Sequence, residues 1–160
     1  MLIHPYPNAR RHMALLTRKV DYAILVLSHL HHHPEGGSAR EIAARFGLSR
    51  AFVANILKEL GHKGYVTSHR GVKGGYVLRQ SADRVNLADF IEAMDDPFRL
   101  ATCNGVTDDC AVSALCPVRA PLAAIHHRIR DVLRAVTLAD LFRGTVPAPA
   151  AVEELLTLGV

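Results

Sequence analysis

The chain has 160 residues, of which 49% are hydrophobic and 6% aromatic, and it contains three cysteines and no tryptophan. A chain of this length buries roughly 70% of its unfolded surface, so its fold requires neither disulfides nor a metal. Its longest apolar run, residues 22–27, is far shorter than the roughly 20 residues of a membrane span, and its N-terminus has no signal-peptide core. We therefore expect one soluble, cytoplasmic domain that does not associate with membranes.

Charge is divided unevenly along the sequence. The formal net charge is +4, yet residues 38–80 hold eight basic and two acidic side chains, so the rest of the chain has a net charge of −2. A basic segment beside an acidic one is typical of a nucleic-acid-binding face joined to a second function. A solvated basic surface would have the same composition.

An arm and a first helix are predicted before the basic segment. Residues 1–13 hold two prolines and show no helical period, which indicates a flexible arm. Apolar positions three and four apart predict a helix over residues 17–33, with Thr17 as its N-cap. Histidines near its end resemble a metal-binding tract, but in a last turn they more often contact the helix C-terminus. These are His29, His31, His32 and His33.

Residues 38–60 predict the two helices of a helix-turn-helix. Ser38 and Ser49 are suited to cap the two helices, and Gly47 supplies the positive φ of the turn between them. In the second helix, apolar residues at helical spacing would face the core and leave a polar face that fits the DNA major groove. The candidate DNA-contacting residues here are Ser49, Arg50, Asn55 and Lys58.

A β-hairpin is predicted after the helix-turn-helix. Residues 65–70 and 76–79 are β-type runs that flank a glycine-rich turn, while Gly61 and Gly64 are expected to end the preceding helix. A hairpin in this place is a wing, and its tip residues Arg70 and Lys73 would lie near phosphates or in a minor groove. A short helix capped by Asn86 follows.

The three cysteines are clustered in a stretch without a consistent period. Cys103, Cys110 and Cys116 are separated by gaps of six and five residues. An odd number of thiols argues against a closed disulfide set, and thiolates are soft ligands for iron–sulfur clusters, zinc or Cu(I). Structural zinc usually takes thiols only about two to four residues apart. The wider spacing therefore favours an iron–sulfur cluster, with three unliganded cysteines as the alternative.

One coordination position of such a cluster would remain open on a three-cysteine loop. Arg119 and Pro121 follow the third cysteine and cannot bind a metal. The nearest downstream candidates are His126 and His127, and Asp21 is another if a dimer brings helix one near the partner's loop. An acid in a first helical turn is also explained by the helix dipole alone. The fourth ligand therefore stays open at this point.

A long helix is predicted after the cysteines, because apolar residues recur at alternating spacings of four and three, the seam of a coiled coil. The seam comprises Val118, Leu122, Ile125, Ile129, Val132 and Val136, with His126, His127, Arg128, Arg130 and Arg134 off it. A seam of this kind is buried against the domain or against a second copy, and a twofold dimer is the common solution. Thr137 then caps a short helix.

The predicted fold class is mostly α with a small β-hairpin wing, a winged helix-turn-helix followed by a long dimerisation helix. The expected organisation is a flexible arm (1–13), a winged helix-turn-helix DNA-binding domain (14–96), a cysteine loop for a cluster (97–117), the dimerisation helix with a short C-terminal helix (118–143) and a tail (144–160). No enzyme is expected, because the sequence has no nucleophile–base pair, catalytic metal motif or dinucleotide fingerprint.

The combination of these elements resembles the iron–sulfur transcription regulators of the IscR and NsrR superfamily. The likeness covers residues 16–142, and residues 16–23 are similar to the family's opening helix. The nitric-oxide-sensing NsrR branch is similar at residues 46–50, 64–67 and 137–141. Two features depart from the family. Arg119 stands where the iron–sulfur biogenesis regulators have a histidine, and the gap between the first two cysteines is about one residue longer than expected.

The resemblance implies a homodimeric repressor that binds a palindromic DNA operator and senses nitric oxide or the redox and iron–sulfur status of the cell. It implies a cluster on the three cysteines, [4Fe–4S] for an NsrR-like protein and [2Fe–2S] as the runner-up, with Asp21 of the partner subunit as fourth ligand. The alternative is a cluster-free or zinc-containing winged-helix repressor that uses its cysteines as a thiol redox switch.

Overall fold

A computed structural model describes residues 16–69, 74–95, 100–101 and 110–147 of the chain. Within these ranges the elements are α1 (Arg18–His32), α2 (Ala39–Phe46), α3 (Arg50–His62), β1 (Val66–His69), β2 (Gly75–Leu78), a 3₁₀ turn (Ala82–Arg84), α4 (Leu87–Met94), a second 3₁₀ turn (Ser113–Leu115), α5 (Arg119–Ala135) and α6 (Leu138–Arg143). A mostly helical chain with one antiparallel hairpin confirms the predicted fold class.

The helix-turn-helix formed by α2 and α3 has the predicted caps. The Ser38 hydroxyl accepts a hydrogen bond from the Glu41 N–H, and the Glu41 carboxylate accepts one from the Ser38 N–H, which makes a capping box. Gly47 ends α2 with a φ of 65°, a left-handed conformation that glycine adopts without strain. Ser49 caps α3 by accepting a hydrogen bond from the Phe52 N–H.

Helix α3 ends later than we predicted. Gly61 was expected to end it but is helical, and the helix continues to His62. Gly64 has a φ of 80° and follows in the turn, where the Tyr65 N–H donates to the Leu60 carbonyl oxygen at 2.9 Å. Gly64 is therefore the glycine that the turn after the helix requires, because it adopts a positive φ. Gly61 is tolerated within the helix.

The hairpin of β1 and β2 is joined at its edge by the connection between α1 and α2. The Gly37 N–H donates to the Tyr76 carbonyl oxygen at 3.0 Å, and the Tyr76 N–H donates to the Gly37 carbonyl oxygen at 2.9 Å. A Cβ on Gly75 would lie 2.8 Å from that Gly37 oxygen, so this close approach requires glycine. The predicted wing-tip residues Arg70 and Lys73 lie outside the described residues.

One hydrophobic core joins α1, α2, α3, α4 and α6. Its fully buried side chains include Leu27, Ile42, Leu57, Phe90 and Leu138. Helices α4 and α6 begin side by side, because the Leu87 N–H donates to the Val136 carbonyl oxygen at 2.8 Å and the Leu138 N–H to the Val85 carbonyl oxygen at 2.9 Å. The short last helix is therefore part of the same core as the helix-turn-helix.

The long helix α5 packs on α4 with one side only. Three seam residues, Leu122, Ile129 and Val136, are half-buried or buried. The other three are exposed, with fractions of 53%, 47% and 46% for Val118, Ile125 and Val132. His126, placed off the seam by the sequence pattern, is only 7% exposed. The side of α5 that packs on α4 thus includes His126 and half of the seam, while the other half of the seam is exposed.

Candidate DNA-binding face and cysteine site

The candidate DNA-binding face is the outer side of α3. Arg50, Asn55 and Lys58 are exposed along this side, and Ser49 is exposed at the start of the helix. The opposite side is buried in the core through Val53, Ile56, Leu57 and Leu60. The Ser49 Oγ accepts the Phe52 N–H at 3.2 Å, so its own hydroxyl proton remains available to donate to a phosphate. All four residues predicted on this helix are therefore accessible.

The electrostatics of α3 favour a polyanion. Its first turn has no acidic side chain, and Arg50 is its first residue. The free N–H groups and the positive end of the helix dipole at such an N-terminus attract phosphate. Glu59, the one acidic residue of α3, is paired with the Lys19 ammonium at 3.1 Å, so its charge is compensated at the side of the helix that faces α1.

Two of the three cysteines lie on the described segment that leads into α5. The Cys110 carbonyl oxygen accepts the Ser113 N–H at 3.0 Å, and the Cys116 carbonyl oxygen accepts the Arg119 N–H at 3.3 Å. Both thiols are free and partly exposed, and Cys103 lies outside the described residues. Unpaired, accessible thiols on a turn are the donors that an iron–sulfur cluster requires, so the described residues fit such a group.

The two histidines considered as fourth ligands lie along α5, away from the cysteines. They are the seventh and eighth residues after Arg119, which corresponds to about 10–12 Å along the helix axis. His126 is buried against α4, and this burial lowers its pKa, with the charges of His127 and Arg130 acting in the same direction. His127 is exposed. Neither position favours coordination beside Cys116 of the same chain.

Asp21 lies on the exposed side of the first turn of α1. The turn is held by the Thr17 hydroxyl, which accepts the Val20 N–H at 3.4 Å, and by the fully buried side chains of Val20 and Ala23. Within the described ranges the Asp21 carboxylate has no hydrogen-bond or ion-pair partner. A free carboxylate on an anchored turn is available to a group from another subunit.

The histidine-rich end of α1 contacts the backbone of its own helix. The Nδ1 atoms of His32 and His33 lie 2.8 Å from the carbonyl oxygens of Ser28 and His29, which confirms the predicted contact with the helix C-terminus. In the ranges that the structure describes, no group of three or more His, Cys, Asp or Glu side chains is arranged to hold a metal ion.

Ion pairs connect α5 to α4, which is part of the hydrophobic core. Arg130 lies 2.6 Å from the Glu92 carboxylate of α4, and Arg134 lies 3.9 Å from the Asp89 carboxylate. The cysteine segment leads directly into α5, and the residue after α5, Val136, pairs with the start of α4. The cysteine segment is therefore joined through the chain to a helix that packs on α4 of the hydrophobic core.

Sequence reasoning missed two contacts between α1 and α3. The rings of Tyr22 and Phe52 meet edge to face, with centroids 5.2 Å apart and planes at 89°. The second contact is the ion pair of Lys19 and Glu59. The partners are far apart in the chain, so no local spacing indicates them. The one available signal is an aromatic residue, Phe52, near the start of a helix predicted to face DNA.

The model of the Rrf2 family, described as iron-dependent transcriptional regulators, matches residues 16–144. The chain belongs to the Rrf2 family. The matched range contains every helix and strand described above, and it confirms the resemblance to the IscR and NsrR superfamily. The protein is accordingly a winged-helix, DNA-binding transcriptional regulator and not an enzyme. None of the helices in its described part has both the length and the apolar character of a membrane span.

Individual Rrf2 relatives cover most of the chain. It is 31% identical over 129 residues to the transcriptional regulator NsrR of Bacillus licheniformis, which spans 79% of this chain and 90% of the relative. It superposes on CymR, the global cysteine regulator of B. subtilis, with a TM-score of 0.63 and 27% identity, covering 81% of this chain and 97% of CymR. The superposition on IscR of T. potens has a TM-score of 0.60 and 24% identity, and it covers 86% of this chain and 95% of IscR. This similarity supports the fold alone.

Proposed function

We propose that this Rrf2-family regulator is a homodimeric repressor that senses nitric oxide, or the redox and iron–sulfur status of the cell, through an iron–sulfur cluster. The observation that carries the proposal is the pair of free, partly exposed thiols of Cys110 and Cys116 at the start of a helix that packs on the DNA-binding core. The similarity to NsrR over most of both chains supports the choice of nitric oxide as the signal.

Three cysteines and one carboxylate would hold the cluster. Cys103, Cys110 and Cys116 would provide thiolates, and Asp21 of the partner subunit would provide the fourth donor, in keeping with its exposed carboxylate, which has no partner among the described residues. When bound, a cluster supplies iron that reacts with nitric oxide and with oxidants, [4Fe–4S] by likeness to NsrR and [2Fe–2S] as the second candidate. The buried position of His126 supports Asp21 as the better candidate for the fourth donor.

A second copy of α5 is the proposed partner of the exposed apolar stripe on α5. The stripe consists of Val118, Ile125 and Val132, which are seven residues apart and 46–53% exposed. A heptad repeat of this kind matches another helix of the same spacing. Leu115, in the 3₁₀ turn between the cysteines and α5, is a further exposed apolar side chain, with 90% of its surface accessible. In a twofold dimer, both copies of each of these side chains would be buried. The cysteine segment of each subunit would then lie near the partner subunit.

The dimer would present two copies of α3 to a palindromic operator, with half-sites about one helical turn apart. Ser49, Arg50, Asn55 and Lys58 would contact phosphates and base edges, and Arg70 and Lys73 would contact the DNA from the wing. Because α5 is tied to α4 by the ion pairs of Arg130 and Arg134, a shift of the cysteine segment would change the distance between the two recognition helices. If the distance between the recognition helices no longer matched the half-site spacing, the dimer would release the operator.

The proposal is tested by iron, sulfide and absorption measurements on anaerobically purified protein. We expect a brown protein with iron and sulfide in cluster proportions, whose visible absorption bleaches while its operator complex dissociates during titration with nitric oxide. A colourless protein that still binds its operator would contradict the cluster. A coloured protein whose operator complex survives nitrosylation would contradict nitric oxide as the signal.

The dimer makes a separate prediction for Ile125→Glu. Burial of an apolar side chain of this size contributes about 1.5–3 kcal/mol, and a twofold interface uses the residue twice. We expect the dimer dissociation constant to rise by roughly 100-fold or more, measured by sedimentation equilibrium. His127→Glu is the matched control, because His127 is exposed on nearly the opposite side of α5. Equal effects of the two variants would argue against this stripe as the interface.

A thiol redox switch without a cluster is the second candidate. It is supported by the similarity to CymR, the global cysteine regulator, and by the free state of Cys110 and Cys116. Under this hypothesis the protein is colourless and its operator affinity changes reversibly with oxidant and reductant. Iron and sulfide analysis of the same preparation separates the two candidates.

A further inference from the structure

The first turn of α1 presents two neighbouring side chains in different directions. The Asp21 carboxylate is exposed, whereas Tyr22 is half-buried and packs against the core. Val20 and Ala23 on the buried side have no exposed surface, so the turn is fixed to the core. Because Asp21 and Tyr22 lie on the same turn, a displacement of Asp21 would also displace Tyr22.

The Tyr22 ring contacts the first turn of the recognition helix. It meets the Phe52 ring edge to face, with centroids 5.2 Å apart. Phe52 follows Arg50 by two residues, and its N–H is held by the Ser49 hydroxyl at 3.2 Å. Edge-to-face pairs are directional, so their energy depends on how the two rings are placed. The contact thus joins the turn that carries Asp21 to the residues proposed to touch DNA.

A second contact fixes the other part of α3 to the same turn. The Lys19 ammonium lies 3.1 Å from the Glu59 carboxylate, and both side chains are about one-third exposed, at 39% and 33%. Phe52 and Glu59 are seven residues apart, which is about 10 Å along α3. The two contacts with α1 therefore lie at separate points along α3, beside the core packing of Val53, Leu57 and Leu60 that holds the helix.

We propose that Tyr22 is a positioning residue for the recognition helix: through Phe52 it transmits the binding state of Asp21 to the orientation of Arg50. The inference rests on the proposed function, in which Asp21 of one subunit binds the cluster of the other. It adds a route through the first turn of α1 to the route through α5 and α4. Phe52 is 36% exposed, so the aromatic contact lies at the edge of the core, where it can change without unfolding the domain.

The test compares Tyr22→Leu, the conservative variant Tyr22→Phe and the wild-type dimer, each with and without its cluster. The first measurement is the ratio of operator affinities of the cluster-loaded and cluster-free forms. We expect this ratio to fall about fivefold or more in Tyr22→Leu, as loss of an aromatic pair in each of two subunits predicts, and to be retained in Tyr22→Phe. Affinity of the cluster-free protein should change less than affinity of the cluster-loaded protein.

The second measurement is amide hydrogen exchange in residues 49–55 of the free protein, which does not depend on DNA. Cluster loading should change exchange there in the wild type and in Tyr22→Phe but not in Tyr22→Leu. An unchanged affinity ratio in Tyr22→Leu beside a responsive wild type would overturn the inference alone. An equal loss of affinity in both forms of Tyr22→Leu would also overturn it, since the ring would then only support the fold. A wild-type ratio of one would overturn the proposed function and the inference with it.

Discussion

Arg50→Ala is expected to weaken operator binding by roughly 30-fold or more while leaving the visible spectrum of the protein unchanged. An arginine contact to DNA contributes about 1–3 kcal/mol, and the proposed dimer makes this contact twice. Arg50 is the first residue of α3, is exposed, and lies where the free N–H groups of the helix also attract phosphate. Affinity for an operator duplex, measured at one fixed salt concentration, checks the prediction.

Arg84→Ala is the matched control for Arg50→Ala. Arg84 is an exposed arginine that ends the first 3₁₀ turn and lies outside the proposed DNA-contacting set. The Arg84→Ala substitution removes the same charge from the protein as Arg50→Ala, so a general electrostatic effect would weaken DNA binding in both variants. We expect near-wild-type affinity for Arg84→Ala. Normal operator binding by Arg50→Ala would contradict the assignment of the outer side of α3 as the DNA-binding face.

Cys116→Ala is expected to lower the iron and sulfide content of purified protein by more than about tenfold and to remove its visible absorption. Cys116 is one of three thiols in the chain, and it is a free, partly exposed residue that lies three positions before the start of α5. Two remaining thiolates and one carboxylate leave a cluster short of a soft ligand. Absorption spectra and iron analysis under anaerobic conditions measure the change.

Two further variants define what the loss in Cys116→Ala means. Ser113→Ala alters the same turn but leaves its backbone hydrogen bond to Cys110 in place, so its iron content should match the wild type. Asp21→Ala removes the proposed fourth ligand and should alter the spectrum and raise the rate of cluster loss, with α1 still folded. A coloured Cys116→Ala protein would refute this cysteine as a ligand. An unaltered spectrum in Asp21→Ala would refute Asp21.

Much of the fold follows from local signals in the sequence. Ser38, Ser49, Asn86 and Thr137 each cap the helix that they were predicted to cap. Capping depends on a side chain and a backbone N–H three residues away, so the information lies within one turn of the chain. The helix-turn-helix, the hairpin and the buried side of α3 follow in the same way from spacing and turn chemistry. The accessible positions of Ser49, Arg50, Asn55 and Lys58 are a direct consequence of that spacing.

The candidate cluster site was only partly predictable. Clustered cysteines indicate a soft-ligand site, because the three thiols are close in sequence. The sequence left the fourth donor open, because a donor from another element depends on how elements pack. The buried position of His126 and the exposed position of the Asp21 carboxylate became apparent only in the folded chain. Gly61 is a case in which a local rule was wrong. The glycine was predicted to end α3, but the helix continues through it to His62.

Features that join distant parts of the chain required the tertiary structure. The apolar period of α5 identifies a seam but contains no information on which side meets α4, so the division into a packed half and an exposed stripe was not predictable. The Tyr22–Phe52 contact and the pairing of α4 with α6 are likewise set by packing between helices. Sequence periodicity determines which residues share a face of a helix. For α3, which has one apolar face, this also predicts the buried side. For α5, only the competition among faces for one core decides which part of the seam is buried and which remains for a partner.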